Sequence, residues 1–183
     1  MYRLAGTAEI DLRIGGAYRF EGVHVHEPHE GYRSAKIEGD SMDTSMTETD
    51  EHRSVAGKCL CGVVQFEVQL PTRFCVHCHC SMCRRNHGAA FVTWFGVAKR
   101  QFRIVEGEPL LGRYQSSDHG ERSFCSRCGT SLFCVLDRDP ETIDIALATM
   151  NGAIDRPPEA HVFFDSHVEW VAVTDQLPKM GAV

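Results

Sequence analysis

The sequence predicts a mainly β protein made of short strands, with only a few short helical turns. The segment at 62–70 (GVVQFEVQL) alternates between apolar and polar residues, and its apolar face comprises Val64, Phe66, Val68 and Leu70. The segment at 142–149 (TIDIALAT) repeats this alternation and places Ile143, Ile145 and Leu147 inward. No long amphipathic helix is visible, and only 81–88 (SMCRRNHG) is typical of a helical turn.

Further short strands are predicted between Gly, Pro and Asp residues, at 89–97, 101–107, 110–116, 130–136 and 161–164. A hydrophobic content of 43% is sufficient for a buried core. No run of eighteen apolar residues exists, so we expect no transmembrane helix and no membrane partner. The first residues also lack the apolar core of a signal peptide, which indicates a cytoplasmic protein.

The chain divides into three predicted segments. Residues 1–37 form an N-terminal extension with a possible short hairpin, in which His24, His26 and His29 are interpreted as loop histidines rather than metal ligands. Residues 38–53 read as an acidic, disordered linker, and Met42 or Met46 is an alternative natural start. Residues 54–180 are predicted to form the main domain, and they contain all nine cysteines.

The charge distribution argues against a nucleic-acid partner. Residues 1–53 carry 6 Lys/Arg against 11 Asp/Glu, a balance of −5, and residues 54–183 carry 13 against 14, a balance of −1. These two parts sum to the net charge of −6 for the whole chain. A domain without excess positive charge has no general attraction for a phosphate backbone.

Nine cysteines in a reducing compartment are expected to be metal ligands or redox groups, because stable disulfides are not favoured there. Two pairs, Cys59 with Cys61 and Cys125 with Cys128, predict a four-thiolate zinc site that joins the two ends of a sheet. Gly129 after the second pair allows the turn that aims backbone amides at the sulfurs. The alternative is a thioredoxin-like redox pair at Cys125 and Cys128, although no βαβ pattern surrounds it.

A third cluster contains Cys78, Cys80 and Cys83 within six residues. Three thiolates on one metal leave a fourth position open, which is the general form of a catalytic zinc site. The alternative is a second structural site, closed by His77, His79, His87 or Cys75. Cys75 and Cys134 lie in apolar stretches and are interpreted as small buried residues.

Arg84 and Arg85 follow the three-cysteine cluster directly in the sequence. Arginine binds carboxylates through two parallel hydrogen bonds, so both are candidates for holding a substrate carboxylate. The alternative is that one of them pairs with a structural Asp or carbonyl group.

Four blocks of the sequence together resemble one known family. They are VAGKCLCGVVQFEV, CHCSMCRRNHGAAFVTW, RSFCSRCGTSLF and HVFFDSHVEWVAVTDQLPKM, and they include seven cysteines in order. The family is the glutathione-dependent formaldehyde-activating enzyme (GFA) family, whose domain is shared with centromere protein V. The resemblance covers roughly residues 54–180.

This resemblance implies an Mss4-like fold of curled β-sheets cross-linked by zinc, with two zinc ions per chain. It implies that Cys59, Cys61, Cys125 and Cys128 hold the structural zinc. It also implies that Cys78, Cys80 and Cys83 hold the catalytic zinc.

The implied activity is carbon–sulfur lyase chemistry, the reversible joining of glutathione and formaldehyde into S-(hydroxymethyl)glutathione. A thiol at the open zinc position would lose its proton, because the cation lowers the thiol pKa. Two other hypotheses remain open. One is a non-enzymatic, zinc-stapled binding module, as centromere protein V permits, and the other is a metal or redox sensor based on the three-cysteine cluster.

Overall fold

The computed structural model describes residues 53–182, and the predictions for the extension at 1–37, its three histidines and the linker up to residue 52 lie outside that range. The described part contains ten strands and one α-helix. They are β1 (Ser54–Lys58), β2 (Gln65–Gln69), β3 (Phe74–Cys78), α1 (Ser81–His87), β4 (Val92–Ala98), β5 (Phe102–Glu106), β6 (Leu111–Ser117), β7 (Gly120–Cys125), β8 (Ser131–Leu136), β9 (Asp139–Ala146) and β10 (His161–Val162).

The strands form two sheets. The smaller has the order β1-β2-β5 and is antiparallel throughout. The larger has the order β10-β3-β4-β9-β8-β7-β6, and within it only the β10–β3 pair is parallel. Four short 3₁₀ turns connect strands in the described region, at 99–101, 108–110, 147–149 and 164–166. No helix within 53–182 is long and apolar enough to span a bilayer.

The main core lies between the small sheet and one face of the large sheet. Phe66 of β2 is fully buried and its ring meets Phe133 of β8 edge-on, with ring centroids 4.9 Å apart. Phe102 of β5 contacts Phe133 in the same way at 4.8 Å. Such edge-to-face pairs are favourable beyond the burial of apolar area, so the aromatic cluster holds the two sheets together.

The opposite face of the large sheet is covered by α1. β4 is buried on both faces, with Phe95 in the main core and Trp94 in a second cluster that includes Cys78 and Cys83. The helix is short because Cys80 caps its start, accepting from the Cys83 amide, and Gly88 ends it at a φ of 60°, where glycine has no steric penalty. The helix therefore places Cys80 and Cys83 over the sheet.

The predicted fold class is confirmed: the described chain is mainly β, with the curled sheets of the Mss4-like fold. The predicted inward face of β2 is buried at all four positions, and the helical turn is α1. Leu147 was expected in a strand but begins the 3₁₀ turn after β9, since that strand ends at Ala146. β1, β3 and β7 were missed. β3 and β7 show no clean two-residue alternation, and β1 has only five residues, with Gly57 at one of its two buried positions.

Candidate functional site

The first cysteine cluster brings together Cys59, Cys61, Cys125 and Cys128, whose sulfur atoms all lie within 4.8 Å of one another. The Cys59–Cys61 Sγ separation is 3.6 Å and the Cys61–Cys125 separation is 3.9 Å. Four sulfurs bound tetrahedrally at the usual zinc–thiolate distance would be about 3.8 Å apart. The donor set therefore fits one zinc ion with no open position.

This cluster joins two sheets, whereas the sequence predicted that it joins two ends of one sheet. Cys59 and Cys61 lie in the β1–β2 loop of the small sheet, and Cys125 and Cys128 lie at the β7–β8 turn of the large sheet. The two loops also contact directly, because the Leu60 amide donates to the Thr130 hydroxyl at 3.0 Å. The prediction was wrong because the pairing of strands cannot be read from cysteine spacing alone.

Hydrogen bonds to the sulfurs lower the pKa of Cys59 and Cys128 in this cluster, whereas burial and the neighbouring thiols raise the pKa of Cys61 to about 11. The Val64 amide donates to Cys59 Sγ at 3.3 Å, and Gly129 adopts the positive φ of 76° expected for the turn after Cys128. The Thr130 hydroxyl and amide lower the pKa of the Cys128 thiol to about 5. Thiolates are the form that binds zinc, so these contacts prepare the site for metal.

The second cluster contains Cys78, Cys80 and Cys83, again with all sulfurs within 4.8 Å. Cys78 ends β3, Cys80 caps α1 and Cys83 lies in its first turn, so a strand end and a helix start position all three. The Cys78–Cys83 Sγ separation is 3.6 Å, which also fits zinc. Hydrogen bonds from Cys78 and Cys83 hold the pKa of Cys80 well below its ordinary value.

No fourth protein ligand joins these three sulfurs in the described region. The candidates for that position were His77, His79, His87 and Cys75. His77 Nδ1 contacts the Thr93 hydroxyl at 2.9 Å, and His79 Nε2 contacts His161 Nδ1 at 2.8 Å. Cys75 is buried in the core between the sheets, and the His87 ring contacts Trp94. The structure therefore favours an open site over a second closed one.

The three sulfurs line a cavity of about 350 Å³ on the α1 side of the large sheet. Its walls are mostly apolar, and they include Phe74, Trp94, Leu136 and Phe163. A larger, more open groove of about 640 Å³ lies at the other end of α1, and no sulfur of either cluster lines it. The smaller cavity is therefore the candidate active site.

A row of directly opposite residues crosses four strands of the cavity floor. Arg122 of β7 pairs with Cys134 of β8, which pairs with Asp144 of β9, which pairs with Gly96 of β4. Side chains of opposed residues lie on the same face of a sheet. Cys134 is buried, as the sequence predicted, and it also lines the cavity.

Arg122 is the buried cation of the site, with 6% of its surface exposed. Its Nε donates to the Ser116 hydroxyl at 3.2 Å and its Nη2 donates to Cys83 Sγ at 3.5 Å. Its Nη1 is buried and has no hydrogen-bond partner. Arg122 was not among the predicted site residues, because β7 was not predicted and no local motif marks this arginine.

Asp144 is the carboxylate among the residues that line the cavity. Burial raises its pKa from 3.8 to about 7, against the opposing effect of Arg138. No hydrogen bond or ion pair to its carboxylate is found among the described residues. It is therefore a carboxyl group that changes protonation state near neutral pH.

Arg84 and Arg85 do not line this cavity. The Nε of Arg84 donates to the carbonyl of His79 at 3.1 Å, so this side chain supports the loop that carries Cys80. Arg85 is exposed on α1. The carboxylate-binding role suggested for both arginines remains a prediction.

A chain of hydrogen bonds reaches the same loop from the C-terminal segment. Asp175 accepts from His161 Nε2 at 3.0 Å, and His161 Nδ1 contacts His79 Nε2 at 2.8 Å. Both histidines are 1% exposed. The His79 amide also donates to the Val162 carbonyl at 3.0 Å, so the residue between Cys78 and Cys80 is fixed through its backbone and its ring.

Among the proteins that this chain resembles are two curated relatives and one solved structure. A protein of Halomonas elongata named "Putative glutathione-dependent formaldehyde-activating enzyme" is 30% identical over 124 residues, covering 64% of this chain and 79% of that protein. A Schizosaccharomyces pombe protein named as an uncharacterized lyase is 34% identical over 79 residues, covering 42% of this chain and 54% of that protein. A crystal structure of a Rhodobacter sphaeroides protein is similar with a TM-score of 0.48 and 29% identity, covering 55% of this chain and 91% of that one.

Residues 54–166, more than half of the chain, match the family described as glutathione-dependent formaldehyde-activating enzyme. The match spans all seven cysteines of the two clusters. With both cysteine clusters assembled and this match in place, the chain belongs to the glutathione-dependent formaldehyde-activating enzyme family.

Proposed function

We propose that this protein joins glutathione and formaldehyde reversibly into S-(hydroxymethyl)glutathione, and so acts as a carbon–sulfur lyase in the direction of cleavage. One observation carries the proposal. Three thiols converge on the wall of a cavity, with no fourth His, Cys, Asp or Glu ligand beside them in the described chain. Three protein ligands and one exchangeable position are the general form of a catalytic zinc site.

The proposal includes two zinc ions with different tasks. The ion held by Cys59, Cys61, Cys125 and Cys128 would be structural, because four thiolates leave no position for a substrate. The ion held by the three-cysteine cluster would lower the pKa of a substrate thiol, so that a thiolate forms at neutral pH. Three thiolates already give that site a net charge of −1, which suits thiol activation better than polarisation of a carbonyl group.

The chemistry needs one bond to form and one proton to move. The thiolate sulfur attacks the carbon of formaldehyde, a C–S bond forms, and the π electrons of the C=O bond move onto the oxygen. That oxygen takes up a proton to give the hydroxymethyl product, and cleavage is the reverse. Arg122, buried against Cys83, offsets part of the negative charge that gathers around the sulfurs.

Isothermal titration with glutathione and with S-methyl glutathione tests the thiol step. We expect glutathione to bind and release a proton, which appears as a heat that depends on the buffer. S-methyl glutathione cannot form a thiolate and should bind much more weakly. Equal affinities would show that the sulfur does not reach the metal.

Turnover is tested separately, because uncatalysed addition of thiols to formaldehyde is itself easy. Magnetisation exchange between free formaldehyde and the hydroxymethyl adduct gives the rate of interconversion at equilibrium. Acceleration by the protein in proportion to its concentration supports an enzyme. Glutathione binding without acceleration supports a binding module instead.

The predicted role of Arg84 and Arg85 is part of this proposal and has its own test. If either arginine holds a glutathione carboxylate, Arg85→Gln or Arg84→Gln raises the KM for glutathione and leaves kcat nearly unchanged. Arg100→Gln, the same substitution at an exposed arginine outside the cavity, is the control. An unchanged KM in both arginine variants contradicts the role.

A further inference from the structure

We propose that Arg122 and Asp144 form a subsite for the oxygen of the hydroxymethyl group, in which Arg122 binds the oxygen and Asp144 exchanges its proton. This inference rests on the proposed function and adds two catalytic residues to it. The cysteines account for the sulfur of the substrate. They leave open how the oxygen, where negative charge develops, is held and protonated.

The first argument is position. Arg122 and Asp144 stand on either side of Cys134 in the row across β7, β8 and β9, so their Cα atoms are two strand spacings apart, roughly 10 Å. Both side chains line the cavity that the three sulfurs line. Cys134, the small residue between them, lines the same cavity.

The second argument is unused hydrogen-bonding capacity. Arg122 is anchored by Ser116 and Cys83, yet its Nη1 is buried without a partner. A buried, unsatisfied donor costs free energy unless a ligand supplies the acceptor. Asp144 makes no ion pair with Arg122 among the described salt bridges, although the two carry opposite charges on one cavity floor. A substrate oxygen between them would accept from Arg122 and exchange its proton with Asp144.

The third argument is protonation. The charged groups around Asp144 are Arg122 on β7, Arg138 and Asp139 at the β8–β9 connection, and the thiol of Cys134, while its β4 neighbour is the uncharged Gly96. Burial outweighs the two arginines and raises the pKa of Asp144 to about 7. A carboxyl group in this range can donate a proton in one direction and accept it in the other near neutral pH.

The proposed step balances without an oxidant or reductant. The thiol loses its proton to solvent on binding, and the thiolate forms the C–S bond. The oxygen that receives the π electron pair is stabilised by the Arg122 Nη1 donor and takes the proton of Asp144. Solvent then reprotonates Asp144. In cleavage, the Asp144 carboxylate removes the hydroxyl proton as the C–S bond breaks.

A binding experiment that needs no turnover tests the subsite. S-(2-hydroxyethyl)glutathione and S-propylglutathione have the same length and differ only in a terminal hydroxyl or methyl group. We expect the wild-type protein to bind the hydroxyl compound at least tenfold more tightly. A gain in affinity of this size is typical of a hydrogen bond to a charged group. The ratio should fall to about one in Asp144→Leu and in Arg122→Met, and stay unchanged in Glu141→Leu, whose side chain is exposed on the same strand. Taking a ratio cancels any effect of a substitution on the sulfur site that both ligands share.

A kinetic experiment tests the proton step. Asp144→Asn should reduce the exchange rate about a hundredfold, typical of a lost general acid, and remove a limb of the pH profile near 7. Glu141→Gln is the matched control and should leave the rate and the profile unchanged. Arg122→Lys keeps the charge but not the Nη1 donor, and should also slow exchange if it folds.

The outcomes separate this inference from the proposed function. If glutathione binds and exchange is accelerated, but the wild-type ligand ratio is one or Asp144→Asn keeps the full rate, the oxygen subsite is refuted and the thiol site stands. If glutathione does not bind at all, the proposed function fails and the subsite fails with it.

Discussion

Replacing Asp144 with Asn should stabilise the folded protein, and the gain should grow as the pH rises. Asparagine has nearly the shape of aspartic acid and is neutral at every pH, so it resembles the protonated carboxyl group. Asp144 is half-buried in a mostly apolar cavity and makes no hydrogen bond among the described residues, and the loss of solvent around it penalises its charged form. The native state therefore holds a proton on Asp144 that the unfolded state has already released.

The size and the sign of this change in folding stability follow from the pKa of Asp144 in the unfolded and in the folded chain. The pKa rises from 3.8 in the free side chain to about 7 in the fold, so between these values the native state binds more protons. Stability then falls as the pH rises through this window, and the full penalty above pH 7 is about 4 kcal/mol as an upper limit. Between pH 5 and pH 8 the penalty increases by about 2.5 kcal/mol.

Urea unfolding of the metal-loaded wild type, Asp144→Asn and Glu141→Gln at pH 5 and pH 8 measures this effect. The free energy of unfolding of Asp144→Asn, relative to wild type, should be higher at pH 8 than at pH 5 by about 2.5 kcal/mol. The exposed Glu141 should show almost no such difference. A difference below about 0.5 kcal/mol for Asp144→Asn would mean that the carboxylate is well solvated, and it would refute the reasoning.

The two proposed metal sites, and the support of the chain at His79 between Cys78 and Cys80, give further predictions. Cys125→Ser removes a ligand of the site between the sheets and should give unfolded protein by circular dichroism, whereas Cys80→Ser should stay folded with one metal fewer by native mass spectrometry. Equal unfolding of both would make the second cluster structural as well. A dilute chelator should remove one equivalent of zinc first, and this loss should leave circular dichroism unchanged. Simultaneous loss of both equivalents would contradict an open site. Asp175→Ala should weaken metal binding at the three-cysteine site about tenfold, as measured by competition titration, because the support through His161 is lost. Asp175→Asn should weaken it less, since its amide oxygen still accepts from that ring, and no loss in either variant would contradict a positioning role.

The grouping of seven cysteines into two clusters could be predicted because each cluster is made of cysteines that are closely spaced in pairs or in a triplet. Cys78, Cys80 and Cys83 lie within six residues, and cysteines spaced this closely are typical of metal binding or redox chemistry. The buried face of β2 could also be predicted, because apolar and polar residues alternate along a strand that has one buried and one exposed face. β3 is covered on both sides and does not alternate cleanly, so the strand that carries Cys78 was missed.

Arg122 and Asp144 could not be found in the same way. They become neighbours of Cys134 only through the register of β7, β8 and β9, and the sequence does not specify that register. A shift of one residue would point Arg122 away from the cavity. Irregularities in the β7–β8 and β8–β9 pairs change the register further, and the sequence pattern does not predict these changes.

The two cysteine clusters differ greatly in how far apart their ligands lie along the chain, and this difference affects how a newly made chain acquires metal. The three-cysteine cluster closes over five residues, from Cys78 to Cys83, whereas Cys61 and Cys125 are 64 residues apart. Closing the longer loop costs about 2 kcal/mol more in chain entropy. If both clusters bind zinc as proposed, we expect an unfolded chain to bind its first ion at the local cluster, before either sheet forms. We expect the second ion to bind only when the two sheets meet, so that its binding would mark the end of folding rather than the beginning.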